Sequence, residues 1–551
     1  MHRSLLTRPT VSLLLGVSIV PTTAGLIAAL WFGLDAGALA RVIATPGIGL
    51  SIGSSLWTGC IATAVALLLA HLAVGLAASG NWRRRLNSLV LPLLAMPHLA
   101  IGIGLALVLA PSGVLLRLLS PWATGFELPP DWLIVNDTGG ISLIAGLVLK
   151  ETCFLVIALA AALAQVPAEK LQAQSATLGY GPLKGWLAAI APALQQQIRL
   201  PLAAVLVFGI TNVEMAIPLG PGLPPTFSVL LWRWFTDPDP AIHAQAYAGT
   251  LVLLVFSVAA IAVAGGLGRL GRKCLIASAQ TGQRRAAETA VRRAFGGFLI
   301  VGWALGALSI IAIGLRAIAG PWRFPTLLPT SRSFTTLQDI ASLTAGVGAT
   351  TLALAGATAL VGIALVLPAA EHCRQSVTAR RQVGAWLFLP LLVPQMTFLF
   401  GVQVLLVRLD VDGTFVAVLW SHLIFALPYL WGILAPARAA IDPRYEQVAA
   451  TLGVTRSVTW LTVTAPLLAR SMLLALALAF SVSVALYLPT LFAGAGRVAT
   501  AATEAAAAAG SGNLRLAAAH AILLAVIPLA AFAAAFTGGA ALFRQRRGVP
   551  R

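Results

Sequence analysis

Long apolar runs separated by short polar breaks extend through almost the whole of this chain. A helix needs about 20 mostly apolar residues to cross roughly 30 Å of hydrocarbon, and about twelve runs reach that length. Hydrophobic residues make up 59% of the chain and charged residues only 10%, which is far from the composition of a soluble globular protein. The sequence therefore predicts an all-α integral membrane protein with about 12 transmembrane helices.

The predicted spans fall into two sets of six. In the first half they cover residues 11–33, 55–78, 89–110, 141–164, 200–220 and 246–268. In the second half they cover residues 297–320, 340–367, 386–408, 414–437, 471–494 and 517–542. We therefore predict two six-span modules, residues 1–268 and 297–551, joined by a basic linker over residues 269–296.

Basic residues gather on one side of these predicted spans, whereas the opposite loops carry acidic residues such as Asp35, Asp137 and Asp237. Lysine and arginine are retained on the cytoplasmic side of a membrane, so both chain ends are predicted to be cytoplasmic. The same asymmetry accounts for the net charge of +19 without a nucleic-acid partner, since no soluble domain collects the basic residues. The basic clusters include Arg3, Arg8, Arg83, Arg84, Arg85, Arg284, Arg285, Arg380, Arg381, Arg546 and Arg547.

The loop between the fourth and fifth spans of the first half matches the corresponding loop of the second half in sequence. We call residues 165–199 the first loop and residues 438–470 the second loop. Apolar bias alone would not align glycine, tryptophan and proline, so the match indicates duplication. The residues that recur after 274 positions are Ala176, Thr177, Leu178, Gly179, Trp186, Leu187, Ala191, Pro192 and Leu194 in the first loop, and Ala450, Thr451, Leu452, Gly453, Trp460, Leu461, Ala465, Pro466 and Leu468 in the second.

Each loop is predicted to contain a short amphipathic helix, from Leu171 to Leu178 and from Tyr445 to Leu452. Glycine follows at the same position in both copies, where a helix end favours the left-handed conformation. Proline lies thirteen residues further on, and we expect it to mark the entry to the next long helix. Helices this short are unstable alone in water, so the protein itself or a partner must hold them.

At these residues the sequence resembles the permease subunits of ATP-binding-cassette (ABC) importers. Their signature is Glu-Ala-Ala, three residues, Gly, nine residues and Ile-x-Leu-Pro, and both copies here keep its Gly-to-Pro spacing. The resemblance covers nearly the whole chain and is greatest to type I importers with two fused modules, the ferric-iron and thiamine permeases, especially a branch labelled as thiamine transport permeases. The signature glutamate is replaced by Ala173 and Gln447, so we expect docking by apolar contacts.

The resemblance implies that each loop forms a coupling helix that docks in a cytoplasmic ATPase and drives switching of the spans. It implies two ATPase copies, which bind ATP and Mg while this chain binds no cofactor. It also implies a periplasmic solute-binding protein, received at residues 126–137 and 222–239, and a multi-pass location in the bacterial inner membrane. The implied coupling residues are Leu171, Ala176, Leu178, Gly179, Pro192, Tyr445, Gln447, Ala449, Ala450, Leu452, Gly453 and Pro466.

Ionisable residues inside spans are costly to bury and suggest function. Lys150 and Glu151 lie midway along the fourth predicted span, Glu214 in the outer part of the fifth, and His422 in the tenth. At about 1.5 Å of rise per helical residue, Lys150 and Glu214 are expected at similar depth, where they could pair. Our hypothesis is that these four residues line the translocation pathway. The alternative is that they form buried pairs that only lock helices together.

Two other functions fit parts of the sequence. A secondary transporter also has twelve spans in two halves. However, the Gly-x-x-x-Asp loop signature of that class is missing from this sequence, and that class has no counterpart of the two matched loops. A membrane enzyme would need converging catalytic groups or metal ligands; the seven histidines are scattered, so we predict no catalytic residue and no metal site. The chain has no GxxxxGK[ST] motif, so an ATP-driven transporter would bind ATP on separate subunits. The sequence leaves the solute open between thiamine, ferric iron and other small solutes.

Overall fold

The computed structural model describes residues 9–77, 93, 95–163, 166–280, 288–329, 331 and 335–544. Within those ranges the chain is helical and contains no β-strand, which confirms the predicted fold class. Several predicted basic clusters lie outside the described residues. They are Arg3, Arg8, Arg83, Arg84, Arg85, Arg284, Arg285, Arg546 and Arg547.

The first half contains helices α1 to α13 and one π-helical segment, Trp186–Ile190. Their bounds are α1 Pro9–Gly33, α2 Ala36–Ala44, α3 Ile48–Ala77, α4 His98–Leu109, α5 Val114–Leu119, α6 Ile141–Leu163, α7 Ala168–Thr177, α8 Pro182–Gly185, α9 Ala191–Leu194, α10 Arg199–Thr211, α11 Ala216–Leu219, α12 Phe227–Phe235 and α13 Pro240–Gln280.

The second half contains helices α14 to α24 and a second π-helical segment, Trp460–Thr464. Their bounds are α14 Glu288–Ile318, α15 Thr335–His372, α16 Val377–Leu392, α17 Gln395–Arg408, α18 Phe415–Ala440, α19 Arg444–Thr451, α20 Arg456–Thr459, α21 Ala465–Ala485, α22 Leu488–Gly494, α23 Ala501–Gly510 and α24 Leu514–Arg544. Helices α13 and α14 extend into residues 269–296, so the described part of the predicted linker is helical. The module boundaries themselves remain predictions.

Ten helices of the described chain are long and apolar enough to cross a membrane, or up to twelve if each of two bent pairs is one span. The predicted count of about twelve agrees with the higher number. The bent pairs are residues 182–194 with 199–211, at 89°, and residues 377–392 with 395–408, at 97°. The predicted span over residues 386–408 therefore covers parts of both helices of the second bent pair. The break lies at Val393 and Pro394, because proline disfavours helical geometry at the residue before it.

The predicted fifth and eleventh spans, residues 200–220 and 471–494, each contain a break in the helix. Helix α10 ends at Thr211 and α21 ends at Ala485, and a short helix follows each end after a break. Residues 222–239 are likewise more than a loop, because they contain α12, whose side chains are partly buried.

The duplication is visible in the bounds of the elements. Both π segments and the ends of α10 and α21 recur 274 residues apart. Earlier in each half the spacing between equivalent residues differs. The Phe227 amide donates to Ser55 Oγ, and its equivalent 274 residues later, the Ala501 amide, donates to Thr351 Oγ1, so Thr351 is the equivalent of Ser55. Helices α3 and α15 therefore correspond at a spacing of 296 residues.

The two halves exchange their first spans. Helix α1 packs on α17 of the second half, and α14 packs on α4 of the first half. Both crossings are close: a Cβ on Gly25 of α1 would overlap the carbonyl of Phe398, and a Cβ on Gly104 of α4 would lie 2.6 Å from Ser309 Cβ of α14. Small residues allow such approach between membrane helices, so the exchange depends on these glycines.

Arg117 of α5 holds the second crossing at one end of the helices. The side chain is buried and donates to the carbonyls of Arg323 and Thr326, at 2.8 and 2.7 Å, and to that of Trp322 at 3.2 Å. Its guanidinium also lies 4.6 Å from the Trp322 ring centroid. Because the guanidinium binds three carbonyls of the loop after α14, it fixes that loop onto the first half.

Candidate functional site

Helix α19 forms the centre of the second loop. At the start of this helix, the Asp442 carboxylate accepts a hydrogen bond from the Arg444 amide at 2.9 Å. At the other end Gly453 has a φ of +77°, and the amides of Gly453 and Val454 both donate back into the helix at 3.0 Å. This is a glycine helix terminus that satisfies the last carbonyls.

Helix α7 forms the centre of the first loop and ends in the same way. Gly179 has a φ of +83°, its amide donates to the Ala176 carbonyl at 2.9 Å, and the Tyr180 amide donates to the Ser175 carbonyl at 3.0 Å. The structure therefore contains both predicted short helices and both glycine ends. The docking role of these loops remains a prediction.

One face of α19 is apolar and exposed, although it lies outside the spans. Tyr445, Val448 and Leu452 are 58%, 58% and 75% exposed, and spacings of three and four residues place them on one side of a helix. Ala449 is buried against the protein, whereas Gln447 and Ala450 are exposed. We call Tyr445, Val448 and Leu452 the apolar face.

The corresponding face of α7 is weaker. Leu178 is 62% exposed and Leu171 is half-buried, while Gln174 occupies the position of Val448. Ala176 is exposed, as is its counterpart in the second loop. The two loops thus share a backbone geometry but differ in the surface they present.

Pro466 lies in the first turn of the long helix α21, as the sequence predicts, whereas Pro192 lies in the four-residue helix α9 and not at the start of α10. The second loop is already helical from Arg456, and Pro466 follows closely after the π segment. Proline cannot donate to the carbonyl four residues earlier, and its ring clashes with that carbonyl. A wider π turn before each proline accommodates it, so helix and proline coexist.

The matched tryptophans have different surroundings. Trp186 is fully buried and packs on α3, where a Cβ on Gly75 would lie 2.9 Å from its Cγ. The His71 ring meets it edge-on, with centroids 6.3 Å apart. Trp460 is half-buried and lines a cavity of about 1100 Å³ beside the second loop.

Five charged residues line that cavity, and Arg456 among them is almost fully exposed. We call the other four the charged cluster: Glu371, Arg374, Arg438 and Glu446. Arg438 is only 3% exposed and contacts both carboxylates, through Nε to Glu371 and through Nη2 to Glu446, at 2.5 Å each. Arg374 contacts Glu446 at 2.5 Å and Glu371 at 3.5 Å. The cluster joins α19 to the ends of α15 and α18.

The pKa of the Glu446 carboxyl reflects this arrangement. Burial would raise it, but hydrogen bonds from Arg374 and Thr464 and the charges of Arg438 and Arg374 together hold the pKa below its ordinary value. Opposite charges and hydrogen bonds to the ionised form have this effect. Glu446 is therefore ionised at neutral pH.

Lys150 and Glu151 lie on α6 and have separate partners. Lys150 is buried and donates to the carbonyls of Leu93 and Met96, at 2.9 and 2.5 Å, just before α4 begins. Glu151 lies 3.0 Å from Nε2 of His98, the first residue of α4. Both residues thus hold the segment that leads into α4.

Glu214 lies in the break after α10, not within a helix. Its carboxylate is buried and accepts from the Tyr487 amide at 3.4 Å, in the corresponding break of the second half. Asn212 closes the break by accepting from the amides of Met215 and Ala216. The predicted pairing of Glu214 with Lys150 is wrong, because the helix ends at Thr211 and the depth count fails beyond it.

His422 of α18 belongs to a group of hydroxyl side chains. Its ring nitrogens lie 2.7 Å from Ser483 Oγ and 2.8 Å from Thr490 Oγ1, and Ser483 Oγ lies 3.3 Å from Thr358 Oγ1. The four predicted pathway residues therefore occupy three places in the fold. Among them, Glu214 contacts the opposite half of the chain.

Comparison with known proteins decides the family. YnjC of Escherichia coli strain K12, named as an inner membrane ABC transporter permease protein, is 32% identical to this chain over 386 residues, which are 70% of this chain and 67% of YnjC. No family model matches the chain. This chain belongs to the ABC transporter permeases. It is a transport subunit rather than an enzyme, and the secondary-transporter alternative no longer applies.

An ABC permease of this kind is a multi-pass inner membrane protein that works with ATPase subunits. In the described ranges of the permease, no group of three His, Cys, Asp or Glu residues could hold a metal ion. Sequence reasoning missed Val448 of the apolar face, His98 beside Glu151, and the charged cluster. The helical spacing of Tyr445, Val448 and Leu452 is a signal that points to Val448. The charged cluster has no such signal, because it joins residues far apart in sequence.

Proposed function

We propose that this permease is the membrane subunit of an ATP-driven importer, and that its two loops dock the ATPase. The observation that carries the proposal is the apolar face of α19, exposed outside the spans on a helix that recurs in both halves. Exposed apolar patches rimmed by polar residues mark interaction sites. The absence of a GxxxxGK[ST] motif from the sequence supports a separate ATPase that binds ATP and Mg.

Two ATPase copies would bind, one on each loop, with both chain ends on the same cytoplasmic side. A periplasmic binding protein would deliver a small solute at the opposite face, near residues 126–137 and 222–239. Ferric iron and thiamine are the first solutes to test, because the sequence resembles the permeases of those importers. Transport is then an alternation between two packings, with solute and nucleotide each favouring one of them.

We place the translocation pathway between the halves, where the two broken spans meet. Glu214 and the Tyr487 amide make a contact between the halves there, and interrupted helices at a repeat interface form transport sites in other membrane proteins. Lys150 and Glu151 on α6 and His422 on α18 lie at separate places, and we propose that they line the same pathway.

Replacing Glu214 with Gln is expected to reduce uptake by about tenfold or more while leaving the fold intact. The amide keeps the shape and can still accept from the Tyr487 amide, but it replaces an ionisable side chain, and ionisable groups buried within a span are candidate functional groups. Uptake of labelled thiamine or ferric iron and thermal unfolding would be measured together. Unchanged uptake and unchanged stability would reject both the pathway role and the helix-locking role.

Site-specific cross-linking tests the docking proposal. A photoreactive residue in place of Leu452 is expected to form an adduct with the ATPase in native membranes, because this side chain is 75% exposed on the apolar face. The same residue in place of Leu223, which is exposed on the opposite face, serves as the control. No ATPase adduct at Leu452, or an equal yield at Leu223, would contradict the proposal.

A further inference from the structure

The charged cluster connects the second loop to two span ends. Glu446 lies on α19, Glu371 and Arg374 lie at the end of α15, and Arg438 lies at the end of α18. Arg438 contacts carboxylates on both sides of it at 2.5 Å. Ion pairs therefore join α19 to the ends of both α15 and α18.

The sequence of the first half carries no charge at the equivalent four positions. At the 296-residue spacing, Gly75 and Ala78 occupy the positions of Glu371 and Arg374. At the 274-residue spacing, Ala164 and Gln172 occupy those of Arg438 and Glu446. Residues 76–97 also contain no acidic residue, so a shifted register would not restore the carboxylate.

The first loop is held by other contacts. Trp186 packs over Gly75, where a larger residue would clash. Lys184 Nζ donates to Ser278 Oγ at 3.3 Å, and Gln195 donates to the Gly268 carbonyl, so the loop is tied to α13. Packing and single hydrogen bonds replace the ion pairs.

The connection from each loop to the next span also differs. In the second half, residues 456–485 form one long helix through the π segment. In the first half the equivalent stretch bends by 89° between residues 194 and 199. The second loop therefore continues into its span as one helix, whereas the first loop meets its span at a sharp bend.

We propose that the two loops transmit ATPase movement by different means, the second through the charged cluster and the first through packing of Trp186. This inference rests on the proposed function. It predicts that the two halves are uncoupled by different substitutions.

The test uses the permease bound to its ATPase in nanodiscs, with spin labels at Leu223 and Asn513 in a background whose native cysteines are replaced. Glu446→Gln and Glu371→Gln are expected to keep ATPase binding but to reduce about tenfold the ratio of switched to unswitched permease when ATP is added. Gln172→Ala, the matched change in the first loop, is expected to leave that ratio unaltered. Trp186→Ala is expected to reduce it, whereas Trp460→Ala is not.

Thermal unfolding of each variant shows whether it is folded. The two glutamate variants each change a partner of Arg438, and they do so from different helices. Equal effects of Glu446→Gln and Gln172→Ala would overturn the inference, as would loss of ATPase binding in both glutamate variants. If the wild-type permease captures no ATPase, the proposed function fails and the inference fails with it. If it captures the ATPase but all variants switch normally, only the inference fails.

Discussion

Gly25→Ala is expected to destabilise the permease by about 1–3 kcal/mol, the usual cost of overpacking. The new Cβ would overlap the Phe398 carbonyl, a backbone atom that cannot turn aside, at the crossing of α1 and α17. In a helix without such a contact, alanine is more stable than glycine by about 0.5–1 kcal/mol. A loss of stability on this substitution would therefore come from the close crossing of the two helices.

Gly16→Ala is the matched control, since Gly16 lies on the same helix and a Cβ there would meet nothing within 4 Å. It is expected to be neutral or slightly stabilising. Thermal unfolding in detergent compares the two variants. Equal stability would mean that α1 does not cross α17 as closely as the structure shows.

Gly453→Pro is expected to lower ATPase capture about a hundredfold. Proline holds φ near −65°, whereas Gly453 needs +77°, and proline cannot donate to the Ala450 carbonyl. A proline in an incompatible position costs about 3 kcal/mol or more, which corresponds to roughly two factors of ten in affinity. Affinity purification followed by quantitation of bound ATPase measures the effect.

Gly512→Pro is the control for misfolding. Gly512 has the same φ of +77°, and the Asn513 amide donates back into α23 at 3.0 Å as Val454 does into α19, but it lies on the opposite face. This variant is expected to keep its ATPase. Equal loss in both would show that the proline acts through the fold and not through docking.

The spans and the loops could be predicted because their signals are local. Apolar length gives the helices, and the recurrence of Gly179 and Gly453 gives the repeat. The break at Asn212 could not be predicted, since neither proline nor glycine stands there and the Asn212 side chain supplies the turn only in the folded chain. For the break at Leu486 a signal was missed, because Pro489 lies in the first turn of the short helix that follows. The mistaken Lys150–Glu214 pair follows from the missed break at Asn212.

Two further features depend on tertiary contacts. The exchange of first spans rests on Gly25 and Gly104, but membrane helices are apolar on every side, so the sequence does not show which face packs. The charged cluster joins Glu371, Arg438 and Glu446 from three helices. Taken alone in the sequence, each of these residues looks like an ordinary charged residue of a loop.

The most direct test of the proposed function is the number of ATPase copies that purify with the wild-type permease from its native membrane in mild detergent. Two copies of a P-loop ATPase per permease are predicted, one for each loop. Purification of the permease alone, in a form that still transports without ATP, would contradict the proposed function.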